Sequence, residues 1–166
     1  MTKIGLLSDT HGFLFPRIGE LLSHCDEIWH AGDIGNSLVI SQLSAIAPVR
    51  AVYGNIDGQD IRRSHPEIQL FTCEKLKVLM IHIGGYPGRY ESKVRRLIRD
   101  EKPGLLITGH SHILKVIYDD VNSLLHINPG AAGKYGFHKV PTLVRFTINE
   151  SEIKDLEVVE LSKNNR

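Results

Sequence analysis

Apolar residues along this chain fall into short runs, and the runs change period as the chain proceeds. Residues 4–8, 27–30, 49–53 and 105–108 are brief stretches rich in leucine and β-branched side chains, the pattern of buried strands. The segments between the early runs have helical spacing. Pro16 opens a predicted helix over residues 16–24, because proline suits a first helical turn. Leu38, Val39, Leu43 and Ile46 set a second over residues 37–47, with Ser37 as its expected N-cap. A third is expected over residues 90–101. Strands alternating with helices in this way predict βαβ units. The second half differs: residues 67–73 and 76–82 predict two strands joined by a short turn. Four further strands are expected over residues 114–118, 124–128, 142–148 and 153–161. Two groups of strands with helices outside predict an α/β (α+β) fold of two mixed sheets flanked by helices. No linker, low-complexity tract or internal repeat interrupts the pattern, so one domain spanning residues 1–166 is expected, with residues 162–166 frayed.

Composition narrows the class without deciding it. Apolar residues make up 42% of the chain, enough for a core without disulfides. Net charge is +1, from 20 basic and 19 acidic residues, so specific nucleic-acid binding is not expected. The one dense basic stretch, residues 93–99, alternates with apolar positions at helical spacing and reads as a solvated helix face. Cys25 and Cys73 form no close pair and read as small buried hydrophobes in a reducing compartment. No apolar segment approaches the roughly 20 residues that span a membrane. The N-terminal run is too short for a signal-peptide core. A cytoplasmic protein that does not engage membranes is expected, with homo-oligomerisation left open.

Six polar islands are set into this framework: Asp9-Thr10-His11, Gly32-Asp33, Gly54-Asn55, His82, Gly109-His110-Ser111-His112 and Asn128-Pro129-Gly130. The first five each follow an apolar run, so their side chains would sit where strands end and could converge on one sheet edge. Together they supply Asp9, His11, Asp33, Asn55, His82, His110 and His112, a donor set suited to two adjacent divalent ions. Each island alone has a plainer reading. Asp9, Asp33 and Asn55 fit turns, and a lone His82 after residues 78–81 fits a satisfied core histidine. Their joint placement at strand ends is what makes the set specific. A carboxylate can bridge two ions with its two oxygens, and Asp33, flanked by Gly32 and Gly35, is the best candidate. Mixed imidazole and oxygen donors suit Mn, Fe, Zn, Ni or Co better than Ca.

With these islands the chain resembles the calcineurin-like metallophosphoesterases, in particular the small prokaryotic phosphodiesterases of the YfcE type. The resemblance covers residues 3–161 and includes the late Asn128-Pro129-Gly130 turn. It implies a four-layer α-β-β-α sandwich. It also implies that Asp9, His11, Asp33 and His112 hold one ion while Asp33, Asn55, His82 and His110 hold the other. Asp33, Asn55 and His110 are then the residues expected to carry catalysis. The reaction implied is hydrolysis of a small-molecule phosphodiester by a hydroxide held between two divalent ions, Mn first and Ni, Fe, Zn, Co or Mg as alternatives.

The chain departs from the family pattern at two points. Ile56 stands where many members carry a histidine that protonates the leaving group, which favours diesters with an aryl or nucleoside leaving group over simple alkyl monoesters. Asp57 could substitute as the acid, but in Asp57-Gly58 it reads more readily as a turn residue. Ile83 stands where glycine usually follows the His82 position, ahead of a glycine-rich segment over residues 84–90 whose Tyr86 and Arg89 are candidate substrate contacts. Lys134 and His138 are weaker candidates. His30 reads as a buried support for the site, and His24, His65 and His126 as structural. Two other functions stay open: a phosphatase acting on monoesters or pyrophosphates, and a non-catalytic scaffold like the retromer subunit of the same fold.

Overall fold

In the computed structural model, which describes residues 1–138 and 140–162, β1 (Thr2–Leu7), β2 (Glu27–His30) and β3 (Val49–Ala51) lie side by side and parallel. β11 (Thr142–Asn149) and β12 (Glu152–Glu160) extend this sheet antiparallel from β1, in the order β12-β11-β1-β2-β3. The second sheet has the order β4-β5-β8-β10-β9. Its members are β4 (Ile68–Cys73), β5 (Leu76–Ile81), β8 (Leu105–Ile107), β9 (Lys115–Asp119) and β10 (Leu124–Asn128). Its centre, β5-β8-β10, is again parallel, and both edges are antiparallel.

Alternation along the strands decides which side chains meet. Ile4, Leu6 and Trp29 from the first sheet pack against Val78, Met80 and Ile107 from the second, all of them fully buried. The opposite face of the first sheet, including Leu7 and Ile28, is covered by α1 (Ile18–Leu22) and α2 (Ser37–Ser44) through Leu22, Val39 and Leu43. The opposite face of the second, through Leu79 and Leu106, is covered by α4 (Ser92–Glu101) through Val94 and Ile98. Two mixed sheets packed face to face between helices are the predicted α/β sandwich.

Local details correct the reading from sequence. The helix expected from Pro16 begins only at Ile18, because residues 16–17 form a turn. The second helix is capped by Asn36, whose backbone is extended and whose Oδ1 accepts the Val39 N–H at 3.2 Å, and not by Ser37. A short helix, α3 (Gln59–Ser64), and a small hairpin of β6 (Gly85–Tyr86) and β7 (Arg89–Tyr90) were not expected. α3 buries only Ile61, so it lacks an apolar stripe. Its charge pattern did carry a signal, with Asp60 in the first turn and Arg62 and Arg63 in the last. Of the tail expected to fray, residues 163–166 lie outside the described residues. Among the described residues no helix is long and apolar enough to cross a membrane.

Candidate metal centre

The parallel strands of each sheet end on one shared edge, the usual place for a ligand in open sheets of this kind. Asp9 follows β1, Asp33 follows β2, Asn55 follows β3, His82 follows β5, and His110 follows β8. The loops turn sharply there. Asp9, His11, Asp33, His110 and His112 all have left-handed backbone, with φ between 46° and 71°. Non-glycine residues in that region cluster at functional sites, where surrounding contacts hold the strain.

All seven predicted donors come together. Asp9, His11 and His112 present one donor atom each within 4.8 Å of one another, and so do Asp33, His82 and His110. Asp33 stands between the groups: its Oδ1 is 3.2 Å from His82 Nε2 and its Oδ2 is 3.5 Å from His11 Nε2. Asp9 Oδ1 is 3.2 Å from His112 Nε2. Asn55 Oδ1 reaches His110 Nδ1 at 3.0 Å, on the second group. The histidines pack edge to face, His11 on His112 at 5.5 Å and His82 on His110 at 5.3 Å between ring centroids.

The charge distribution of these residues fits a cation. Asp9 Oδ1, His11 Nε2 and His82 Nε2 are buried with no hydrogen-bond partner among the described residues, although buried polar atoms are normally paired. Divalent ions would satisfy all three. Burial pushes the Asp9 carboxyl up, but His11 and His112 beside it, His82 and the Ser8 hydroxyl hold it well below the usual carboxylate range. Burial likewise opposes ionisation of Asp33, and His82 with the Ile56 N–H overcomes it. Both carboxylates therefore favour the ionised form.

Glycines make the convergence sterically feasible. A Cβ on Gly54 would fall on Asp33 Oδ1 and on the Asp33 backbone nitrogen, and a Cβ on Gly32 would enter the His82 ring. Each strand-end glycine thus makes room for a donor from a different strand.

The sequence profile of the calcineurin-like phosphoesterase superfamily domain matches residues 2–151. The chain belongs to this superfamily. A probable metallophosphoesterase of Methanocaldococcus jannaschii is 32% identical over 136 residues, covering 77% of this chain and 67% of that protein. One from Mycoplasma pneumoniae is 31% identical over 165 residues, covering 94% of this chain and 96% of that protein. Among solved structures, Vps29 of Chaetomium thermophilum superposes with a TM-score of 0.75 at 18% identity, covering 99% of this chain and all of that one, a likeness of fold.

Around this phosphoesterase centre several residues have roles that the sequence did not disclose. Asp57 does close a turn, its N–H donating to Gly54 O at 3.2 Å, but its carboxylate is buried. That carboxylate accepts the N–H groups of Ile34, Gly35 and Gly54 at 3.1, 2.9 and 2.8 Å. It therefore ties the Asp33 loop to the Asn55 loop. Asn128 does the same for the histidine loop: its Nδ2 donates to Gly109 O at 2.9 Å and Ser111 Oγ at 3.1 Å, and its Oδ1 accepts the Gly130 N–H. The sixth island is a brace.

His30 is the buried support expected. Its Nδ1 accepts the Gly32 N–H at 3.1 Å, so the proton sits on Nε2, which donates to Thr10 Oγ1 at 2.9 Å, and Thr10 donates on to Ile34 O. The exposed-loop candidates divide. Tyr86 lines a cavity beside His110. Arg89 lines a different cavity with Arg95, Asp119 and Asn122, which none of the seven donors lines. His138 packs on His112 at 5.3 Å between ring centroids and meets Gly133 O, while Lys134 lies over the Phe13 ring.

Proposed function

We propose that this protein is a phosphodiesterase working with two divalent metal ions, manganese the first choice, on a small-molecule diester. The observation that carries the reading is the pair of donor groups meeting at Asp33, with three of their buried donor atoms unpartnered. Asp9, His11, Asp33 and His112 would hold one ion, and Asp33, Asn55, His82 and His110 the other. When bound, two such ions supply Lewis acidity toward phosphate oxygens and a water acidic enough to act as a nucleophile near neutral pH.

The chain's own contribution is preorganisation and charge. Asp33 is kept ionised and is oriented by the Ile56 N–H at 3.1 Å from its Oδ1. The Asn55 side chain keeps its oxygen on the metal side, beside His110, and leaves its N–H₂ free to donate to a phosphate oxygen. No imidazole follows Asn55, and the Asp57 carboxylate is occupied beneath the loop, so neither neighbour protonates the departing oxygen. Without that acid, diesters with an aryl leaving group turn over fastest, and an alcohol leaving group, a nucleoside hydroxyl included, takes its proton from water.

The likeness to Vps29 supports a second reading, a scaffold acting through protein contacts. The complete and convergent donor set favours the enzyme. The deciding experiment is hydrolysis of bis-p-nitrophenyl phosphate with Mn, Ni, Co, Mg or Zn added, beside elemental analysis. Turnover with metal near two equivalents is expected. No turnover with any of these ions, together with no retained metal, overturns the proposal.

A further inference from the structure

The Asp33–His82–His110 side of the centre opens into two cavities that share a single wall residue. The first, of about 250 Å³, is lined by Asn55 and His82, with Tyr53, Arg62 and Glu67 further out. The second, of about 220 Å³, adjoins His110 and is lined by Tyr86, Glu91, Lys115 and His126. Ile83 lines both. Each cavity is smaller than the roughly 300–1,000 Å³ that a whole small ligand occupies. Each is therefore sized for part of a molecule whose centre lies between them.

Each cavity sets a cation on an aromatic face. In the first, the Arg62 guanidinium lies over the Tyr53 ring, 4.6 Å from its centroid, and donates to Asp57 O and Asn55 O, while Glu67 is paired with Lys93 at 3.0 Å. In the second, Lys115 Nζ lies 4.0 Å from the Tyr86 centroid, with Glu91 as the carboxylate. A cation held on an aromatic face is oriented without being neutralised.

The second cavity is also walled by a buried histidine. His126 is 1% exposed, and its Nε2 meets Thr108 Oγ1 at 2.8 Å. Its Nδ1 has no partner among the described residues, and Lys115 makes no ion pair among them. Burial, with Lys115 nearby, pushes the imidazole down to about 4, so at neutral pH it carries no charge.

Resting on the phosphodiesterase reading above, we propose that Ile83 divides two subsites that receive the two alcohol arms of the diester. The arms are rings rich in hydrogen-bonding groups, the class to which nucleosides belong. Arg62 and Lys115 meet carbonyl and hydroxyl oxygens, while Glu91 meets a ring N–H or a sugar hydroxyl donor. A monoester fills one subsite and leaves the other empty. An acyl chain would cover both cations without giving either a partner.

The test compares two diesters on manganese-loaded protein: bis-p-nitrophenyl phosphate, whose arms are small, and thymidylyl-thymidine, which places a nucleoside on each side. In Lys115→Met the ratio of kcat/KM for the dinucleoside to that for the aryl diester is expected to fall about tenfold, the loss of one charge-assisted hydrogen bond. Lys115→Arg keeps most of the ratio. An unchanged ratio in Lys115→Met, or an equal fall on both substrates, overturns the subsites while leaving the phosphodiesterase reading in place. If the wild type cleaves neither diester with any of the ions named above and retains no metal, that reading falls instead. Calorimetric binding of the uncleaved dinucleoside then decides the subsites: weaker binding by Lys115→Met supports them, and equal binding refutes them.

Discussion

Asp33 Oδ1 occupies the space in which a Cβ on Gly54 would stand. The carboxylate shared by the two donor groups therefore depends on a missing side chain one strand away. Gly54→Ala should displace Asp33 and lower metal affinity and diesterase activity by about 10–100-fold, as loss of outer support does in metal sites. Gly58→Ala is the control, because a Cβ there meets nothing within 4 Å. Metal retained after gel filtration, compared between the two variants, checks the relationship. Equal retention would mean that Asp33 can relax around the methyl group.

Asp57 holds the same loops from below. Asp57→Ala leaves the Ile34, Gly35 and Gly54 N–H groups without their acceptor, at about 1–3 kcal/mol for each donor that water cannot reach. Stability in urea should fall by several kcal/mol. Because the loops carry Asp33 and Asn55, affinity for metal should fall as well. Asp57→Asn keeps the shape with one acceptor fewer and should lie between. If metal affinity is unchanged while stability drops, Asp57 supports the fold alone.

The Asp33→Asn variant separates charge from shape at the shared position. The amide is nearly isosteric and keeps an acceptor for the Ile56 N–H. It cannot serve as an anionic ligand to two ions. The variant should fold with an unchanged melting temperature in the metal-free state, bind fewer than two equivalents of Mn, and lose about 10³-fold or more in kcat, on the scale of removing a principal electrostatic group. Activity within tenfold of wild type would argue against the shared role.

Protonation of His30 should weaken the fold in acid. Its imidazole, fully buried, is pushed down to about 4 from an ordinary 6.5, and its Nδ1 accepts a backbone N–H, a role the protonated ring cannot fill. The unfolded chain takes up this proton below pH 6.5 and the native protein only near 4. The contribution is therefore complete above pH 6.5 and is lost as pH falls from 6.5 to 4, amounting to about 3 kcal/mol. Asp9 and Asp33 also titrate differently in the folded state, so the readout is the difference between wild type and His30→Asn. Urea midpoints from pH 7.5 to 4.5 should show the variant with the flatter dependence. Parallel curves would show that His30 contributes no pH dependence.

Much of the site could be read from the chain because each donor closes an apolar run, and parallel strands must end on the same side. Asp9, Asp33, Asn55, His82 and His110 needed only that rule to be brought together. The braces escaped it. Asp57 acts on backbone groups 22 and 23 residues away, and Asn128 on the Gly109 carbonyl and the Ser111 hydroxyl 19 and 17 residues away, so their value exists only once the loops are folded together. α3 escaped because a helix anchored by one buried side chain leaves no periodic trace. Arg89 and Tyr86 looked equivalent in a glycine-rich segment, and only the folded hairpin sends them to different cavities.

Ile56 offers a direct test of what limits the substrate range. Its side chain is 48% exposed, and its contact with the centre is made by its backbone N–H to Asp33, so a new side chain should be accommodated without moving the carboxylate. Ile56→His would place an imidazole beside Asn55, where a leaving oxygen could take a proton. General acid catalysis of this kind is worth about 10²–10⁴-fold when well placed. An engineered group without supporting contacts should reach the low end, raising kcat/KM on an alkyl phosphate monoester by about tenfold relative to p-nitrophenyl phosphate, whose phenolate departs without a proton. The gain should also decline as pH rises through the imidazole range, because only the protonated ring can donate. A uniform change on aryl and alkyl esters, with no pH-dependent limb, would mean that leaving-group protonation does not set the preference of this centre.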